Sequence, residues 1–186
     1  HQAKHDPNNQ FRFYSEKLNQ SSSERFLLHS EIRQALQRSE FRVYYQPRVS
    51  VIGSRVIGFE ALLRWHHPKR GLLPPSDFLQ TLEETGLICK VGEWVLNTVC
   101  DSVVKSQKFS STPLHVAVNV SPIQLRDDTF SQMVRGAISP SGLDLRRTTL
   151  ELEITENILM DNIEEVRQKL YELIDMGIKI AIDDFG

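Results

Sequence analysis

Residues 116–120, which read Val-Ala-Val-Asn-Val, decide the fold class of this chain. β-Branched residues alternate there with a small and a polar residue, a period of two that predicts a half-buried β-strand. The same alternation occurs in residues 150–154 (Leu-Glu-Leu-Glu-Ile) and 178–183 (Ile-Lys-Ile-Ala-Ile-Asp). We therefore predict that these strands belong to one sheet, with an apolar face turned toward helices and a polar face turned the other way.

Helical patterns separate these strands, and another pair of strands precedes them. Residues 42–49 and 56–64 are rich in β-branched and aromatic residues and predict a hairpin with a turn near Gly53 and Ser54. Helices are predicted over residues 76–84, 91–107, 128–138 and 163–176. Regular alternation of strand and helix is typical of a parallel sheet that helices cover or close.

Polar side chains gather near the carboxyl ends of the predicted strands. Asn119, Glu153 and Asp183 lie on the face opposite to the apolar residues of their strands. Glu60 and Arg64 share one face of the second strand by the same period of two. In a parallel barrel such positions meet at the mouth where active sites are built. The pattern therefore predicts a functional site at this end of the sheet.

The predicted site favours a bound divalent cation. Carboxylates that converge repel one another and resist desolvation, and a cation removes that conflict. The candidate ligands are all oxygen donors, which favours Mg²⁺ or Mn²⁺ over Zn²⁺ or copper; they are Glu60, Asn119, Glu153, Asp183 and Asp184. The adjacent Asp183 and Asp184 could serve two ions ~4 Å apart, as in phosphodiester cleavage. The alternative is that some of these acids are helix caps or solvated loop charges.

Composition limits the class of protein. The chain has 186 residues with 40% hydrophobic residues, which predicts one core rather than two complete domains. Its 22 basic and 24 acidic residues give a net charge of −2, which argues against general nucleic-acid binding. Cys89 and Cys100 lack metal-site spacing, as expected in a reducing compartment. No apolar run approaches the roughly 18 residues of a membrane span, so we predict a cytoplasmic domain whose parent protein could still be membrane-anchored.

Seven short motifs resemble those of the EAL-type cyclic di-GMP phosphodiesterases of bacteria. In chain order they are Tyr44-Tyr45-Gln46-Pro47, Glu60-Ala61-Leu62-Leu63-Arg64-Trp65, His67-Pro68 leading to Pro74-Pro75, Glu83-Glu84-Thr85-Gly86-Leu87-Ile88, Val118-Asn119-Val120-Ser121, Glu153-Ile154-Thr155-Glu156 and Asp183-Asp184-Phe185-Gly186. Each motif alone is weak, but their order and compatible spacing are specific. The resemblance covers residues 41–186.

The resemblance implies a fold and a reaction. The expected fold is a modified TIM (β/α)8 barrel with one antiparallel strand, incomplete in this chain. The expected reaction is hydrolysis of cyclic di-GMP to linear pGpG by a metal-activated water; a catalytically inactive receptor for cyclic di-GMP is the alternative. Family members supply a lysine, a glutamate and a glutamine after the Asp-Asp-Phe-Gly motif. Either these residues follow in a longer protein, or the fragment is inactive.

The resemblance also implies residue roles. Glu60, Asn119, Glu153 and Asp183 would ligate metal, and Asp184 would help to hold a second ion. Glu156 would steady the loop that follows Asp183 and Asp184, so the implied catalytic residues are Glu60, Asp183, Asp184 and Glu156. Arg64 would contact a substrate phosphate, which suits a planar cation with several donors. Gln46 would lie near the nucleotide, although a glutamine that satisfies backbone groups of the strand is equally compatible.

The resemblance extends more weakly to the residues before the predicted sheet. Residues 1–20 resemble the end of a GGDEF-type domain, and residues 21–40 a linker helix that leads into the EAL domain at residues 41–186. An ordinary amphipathic helix that packs on the following domain is the alternative for the linker. The expected partners are cyclic di-GMP, a second copy in a homodimer, and an upstream GGDEF-type or sensory domain.

Overall fold

The predicted strand pair is an antiparallel hairpin in the computed structural model, which describes residues 28–107, 113–156 and 163–183. Strand β1 (Phe41–Val49) pairs with β2 (Val56–His67) in antiparallel register. The connecting turn has positive φ angles of 90° at Gly53 and 47° at Ser54. Pro47 lies within β1, an edge strand of the described sheet, where a residue without a backbone N–H to donate is tolerated.

The later strands continue this sheet in parallel. β4 (Leu114–Val120) pairs with β2, β5 (Thr148–Thr155) with β4, and β6 (Lys179–Asp183) with β5, all parallel. A short β3 (Gly71–Leu73) adds an antiparallel partner to β2. The sheet order is β1-β2-β4-β5-β6. This confirms the α/β class and the partial barrel with an antiparallel first strand.

Helices fill the connections between the strands. They are α1 at residues 28–37, α2 (Leu79–Glu84) after a 3₁₀ turn at Pro75–Asp77, α3 (Leu87–Gln107), α4 (Pro122–Arg126), α5 (Phe130–Ser141) and α6 (Ile163–Asp175). Two ends differ from the predictions: α3 begins four residues earlier, directly after Gly86, and α5 passes through Pro140. The helix predicted to end at residue 138 continues to Ser141, and the left-handed φ of 74° at Gly142 ends it.

The helix-facing side of the sheet forms the core. Val116, Val118, Leu150 and Leu152 are buried there, as their alternation predicted. Helices α3 and α5 pack against each other over this face and contribute buried side chains such as Val99. None of the helices in the described residues is long and apolar enough to cross a membrane.

Helix α1 packs on the domain through one apolar stripe. Leu28, Ile32 and Ala35 are buried in the common core. Glu31 of α1 approaches β2, where its Oε2 lies 3.2 Å from Nε2 of the buried His67. This arrangement agrees with the packed-helix alternative for the segment. The predicted end of an upstream domain at residues 1–20 lies outside the described residues.

Candidate active site

Strand register brings the predicted acidic positions onto one face of the sheet. Asn119 stands directly opposite Glu153 between β4 and β5, and Nδ2 of Asn119 donates a hydrogen bond of 2.8 Å to Oε1 of Glu60. Glu153 pairs with Ala181 on β6, so Asp183, two residues further, lies on the same face. Glu60, Asn119, Glu153 and Asp183 therefore share the face away from the core, on neighbouring strands.

Glu153 is the buried member of this group. Its exposed fraction is 5%, and burial raises the pKa of its carboxyl group. The guanidinium of Arg48 opposes that rise in the pKa, while the negative charges of Glu60, Asp183 and Glu151 add to it. Burial and the neighbouring carboxylates therefore both disfavour the ionised form of Glu153, and Arg48 favours it.

Arg48 is a residue of this site that the sequence analysis missed. Its Nη1 donates to Oε1 of Glu151 at 2.8 Å, and its Nη2 donates to Oε1 of Glu153 at 2.5 Å. The pKa of Arg48 is raised, first by its hydrogen bond to Glu151. One signal was available: Arg48 stands two residues after Gln46 and therefore shares its face of β1.

The predicted substrate-binding residues lie on the same face of the hairpin. Gln46 stands directly opposite Glu60 in the β1–β2 register, so the two residues share one face of the hairpin. Arg64 lies four residues further along β2 and is paired across the strands with Arg42. Its Nη1 donates to the carbonyl of Leu63 at 2.9 Å. The placement of both residues suits the predicted roles, which stay predictions.

Glu156 and Asp184 complete the predicted set of site residues. Glu156 follows β5 directly and is half-buried. Asp184 lies outside the described residues, so its predicted role in holding a second ion stays a prediction.

A cavity of about 300 Å³ opens at the carboxyl ends of the strands. Its walls include Asn119, Glu153 and Asp183 from the sheet and Glu83 and Ser121 from the surrounding helical segments. Ser121 caps α4 and donates to Oε1 of Glu83 at 2.6 Å. This volume is at the small end of ligand pockets. A larger cavity of about 580 Å³, between α3 and α5, contains none of the strand-end acids and is therefore the weaker candidate.

The donor chemistry of the site fits Mg²⁺ or Mn²⁺. These hard ions prefer carboxylate and amide oxygens as ligands. Such oxygens lie on one face of the sheet, and the carboxylate of Glu153 is buried there. Within the described residues, no three His, Cys, Asp or Glu side chains already stand close enough together to hold a metal ion. The strands thus place the candidate ligands side by side on one face. The side chains of Asn119 and Glu60 are hydrogen-bonded to each other, and that of Glu153 is hydrogen-bonded to Arg48.

Sequence relatives are bacterial signalling proteins. The chain is 39% identical over 186 residues to an uncharacterized signaling protein of Caulobacter vibrioides. It is 36% identical over 184 residues to the bifunctional diguanylate cyclase/cyclic di-GMP phosphodiesterase MucR of Pseudomonas aeruginosa, and 34% identical over 184 residues to the cyclic di-GMP phosphodiesterase PdeR of Escherichia coli. These alignments cover 99–100% of this chain but only 22–27% of the relatives.

Solved structures and a protein family match the same residues. The PaMucR phosphodiesterase in complex with c-di-GMP superposes with a TM-score of 0.81 at 38% identity, over 86% of this chain and 64% of that one. The EAL enzyme Bd1971, bound to cAMP and cyclic di-GMP, superposes with a TM-score of 0.82 at 28% identity, over 91% of this chain and 46% of that one. Residues 29–186 match the family described as EAL domain. The chain therefore belongs to the EAL-domain family.

Proposed function

We propose that the protein containing this chain hydrolyses cyclic di-GMP to linear pGpG, in a reaction that depends on Mg²⁺ or Mn²⁺. The observation that carries the proposal is the shared face of Glu60, Asn119, Glu153 and Asp183 on neighbouring strands. The names of MucR and PdeR as phosphodiesterases support the choice of substrate.

The proposed ligands of the ions are Glu60, Asn119, Glu153 and Asp183, with Asp184 for a second ion. When bound, such ions lower the pKa of a coordinated water and stabilise the leaving oxygen of a phosphodiester. Asn119 orients Glu60 through the hydrogen bond of 2.8 Å between them. This contact fixes one carboxylate before any ion arrives, which reduces the cost of assembling the site.

The hairpin supplies the proposed contacts to substrate. Arg64 offers a planar guanidinium with several donors, which is suited to a phosphate of the cyclic dinucleotide. Gln46 stands beside Glu60 and offers both an amide donor and an acceptor to the nucleotide. The half-buried Glu156 follows β5 and is proposed to steady the loop after Asp183.

A direct assay tests the proposal. The full-length protein is incubated with cyclic di-GMP and Mn²⁺, and formation of pGpG is followed by chromatography. We expect Glu60→Ala to lower kcat/KM by at least about 100-fold, on the scale of removing a group that stabilises the transition state. Glu172→Ala, on the exposed surface of α6, is the matched control and should retain wild-type turnover. Metal-loaded wild-type protein that binds the nucleotide without cleaving it would refute hydrolysis.

A binding module is the second candidate. It is favoured by a structural neighbour whose description names nucleotide binding. The EAL domain of FimX from Pseudomonas aeruginosa, a neighbour with a TM-score of 0.74 at 25% identity, is described as bound to c-di-GMP. Nucleotide binding with equal affinity in EDTA and in Mn²⁺, and without product, would support this candidate.

The proposed assembly involves larger partners. A homodimer and an upstream GGDEF-type or sensory domain are proposed from the family resemblance, as is a cytoplasmic location of this domain. Light scattering of the full-length protein tests the dimer, because a mass of one chain at micromolar concentration contradicts it.

A further inference from the structure

Arg48 reaches across the concave face of the sheet. The sheet order β1-β2-β4-β5 places two strands between Arg48 and its partners on β5. Neighbouring strands lie about 4.8 Å apart, so a flat sheet would separate the backbones of β1 and β5 by roughly 14 Å. The contacts of 2.8 Å to Glu151 and 2.5 Å to Glu153 therefore require a curled sheet in which β1 and β5 face each other.

Gly58 marks a close approach of β2 to β4 beside Arg48. It stands directly opposite Arg48 in the β1–β2 register. A Cβ atom at Gly58 would lie 2.8 Å from the carbonyl oxygen of His115 and 3.0 Å from its Cβ. A side chain at this position would therefore collide with β4.

Arg48 is a cation among carboxylates. It pairs with Glu151 and Glu153, whose side chains are 14% and 5% exposed. Glu151 also lies 3.2 Å from Nε2 of His115, close enough for an ion pair although the two atoms are not aligned for a hydrogen bond. Lys179 stands opposite Glu151 in the β5–β6 register. The carboxylates of this face thus have a counter-charge from the protein, which contacts Glu153 at the level of Asn119 and Glu151 two residues before it.

We propose that Arg48 is a positioning residue that balances the charge of Glu153 and Glu151, and that it thereby limits how tightly the site binds a divalent cation. The inference rests on the proposed metal dependence. Arg48 contacts Glu153 through Oε1, which leaves Oε2 as the oxygen that a cation can take. The arginine holds the carboxylate in place without an ion and repels an ion that arrives.

Binding of Mn²⁺ without nucleotide tests the proposal, and it needs no turnover. Arg48→Met keeps the length of the side chain and removes its charge. We expect the full-length variant to melt at a lower temperature than wild type in EDTA, and Mn²⁺ to raise its melting temperature by more than it raises that of wild type. In calorimetric titration, Mn²⁺ should bind the variant on the order of tenfold more tightly, because a repelling unit charge is gone.

Three further proteins complete the design. Arg48→Lys keeps the charge with a single ammonium and should fall between wild type and Arg48→Met. Arg48→Met/Glu151→Gln removes opposite charges together and provides a folded reference should Arg48→Met fail to fold. It should bind Mn²⁺ more tightly than wild type but less tightly than Arg48→Met, because Arg48 contacts the proposed ligand Glu153 directly whereas Glu151 is not a proposed ligand. Arg146→Met, which removes a 91% exposed arginine paired with Asp144, should match wild type.

The outcomes separate this inference from the proposed function. If Mn²⁺ neither binds nor stabilises wild type, the proposed metal dependence fails, and the inference fails with it. If wild type responds to Mn²⁺ but Arg48→Met and the double variant respond equally or less, Arg48 has only a structural role and the inference alone is overturned.

Discussion

The two faces of the same strands hold this domain together in different ways. On the helix-facing side, Leu150, Leu152 and Ile154 are buried among apolar side chains. On the concave side, Glu151 and Glu153 alternate with them and are held by Arg48. The stability gained from apolar burial does not depend on direction, so apolar side chains of similar volume can replace one another. An ion pair, in contrast, depends on the identity and position of both charged residues. Substitutions on the first face should therefore change stability, and those on the second should change ion and substrate binding.

The largest expected effect is on the apolar face. Leu152→Ala should lower the free energy of unfolding by about 2–5 kcal/mol, because it removes a buried side chain and leaves a cavity. Ile182→Ala is the matched control, since Ile182 lies on the same face but is 44% exposed, and it should cost less than half as much. Urea denaturation in EDTA measures both. Equal losses would show that the apolar face is not packed as described.

The next effect is on the concave face. Asn119→Ala removes the hydrogen bond to Glu60 and one proposed ligand, and should weaken Mn²⁺ binding by about 10–100-fold, the usual range for such partners of metal ligands. The exposed Asn119 contributes little to the core, so urea denaturation in EDTA should show nearly unchanged stability. Asn97→Ala, on the exposed surface of α3, should change neither property. A loss of stability without a change in Mn²⁺ affinity would reverse the assignment of the two faces.

The smallest expected effect is on how the free energy of unfolding changes with pH, because Glu153 and Asp127 should contribute with opposite signs. The pKa of Glu153 is raised by burial, so the folded state binds its proton more tightly, and stability from this group is lost as pH rises above the ordinary glutamate range. The pKa of Asp127, near the start of α5, is lowered by hydrogen bonds from Thr129, so its contribution is lost as pH falls. The contributions of Glu153 and Asp127 to stability thus change in opposite directions on acidification.

Unfolding free energies measured in EDTA at several pH values between 3 and 7 test this difference. Glu153→Gln should remove the loss of stability on raising pH, and Asp127→Asn should reduce the loss on lowering it. Changes of the same sign in both variants would contradict the pKa directions. The effect of Asp127 should be modest because the group is largely exposed to solvent.

Sequence alone predicted most of the strands and the positions of the acids. The period of two in residues 116–120 and 150–154 assigned Val118 and Leu152 to the core, and both are buried. The same period placed Asn119 and Glu153 on the other face, and the register puts them directly opposite each other. These predictions succeeded because the alternation of side chains along a strand is a local property of the backbone.

Helix ends were predicted less well. The early start of α3 at Leu87 and the passage of α5 through Pro140 depend on packing between the helices as well as on local signals. Tertiary contacts add apolar burial that outweighs propensity at individual residues. The burial of His67 against Glu31 depends in the same way on where helix α1 lies.

The sequence by itself determined the α/β order, the two-sided strands, the motifs of the family and an oxygen-rich set of acids. Only the tertiary structure decided that Arg48 balances Glu153, because the two residues are 105 positions apart and meet only when the sheet curls. Strand periodicity specifies which face a side chain takes, but the curvature that joins distant strands is set by the packing of all of them together.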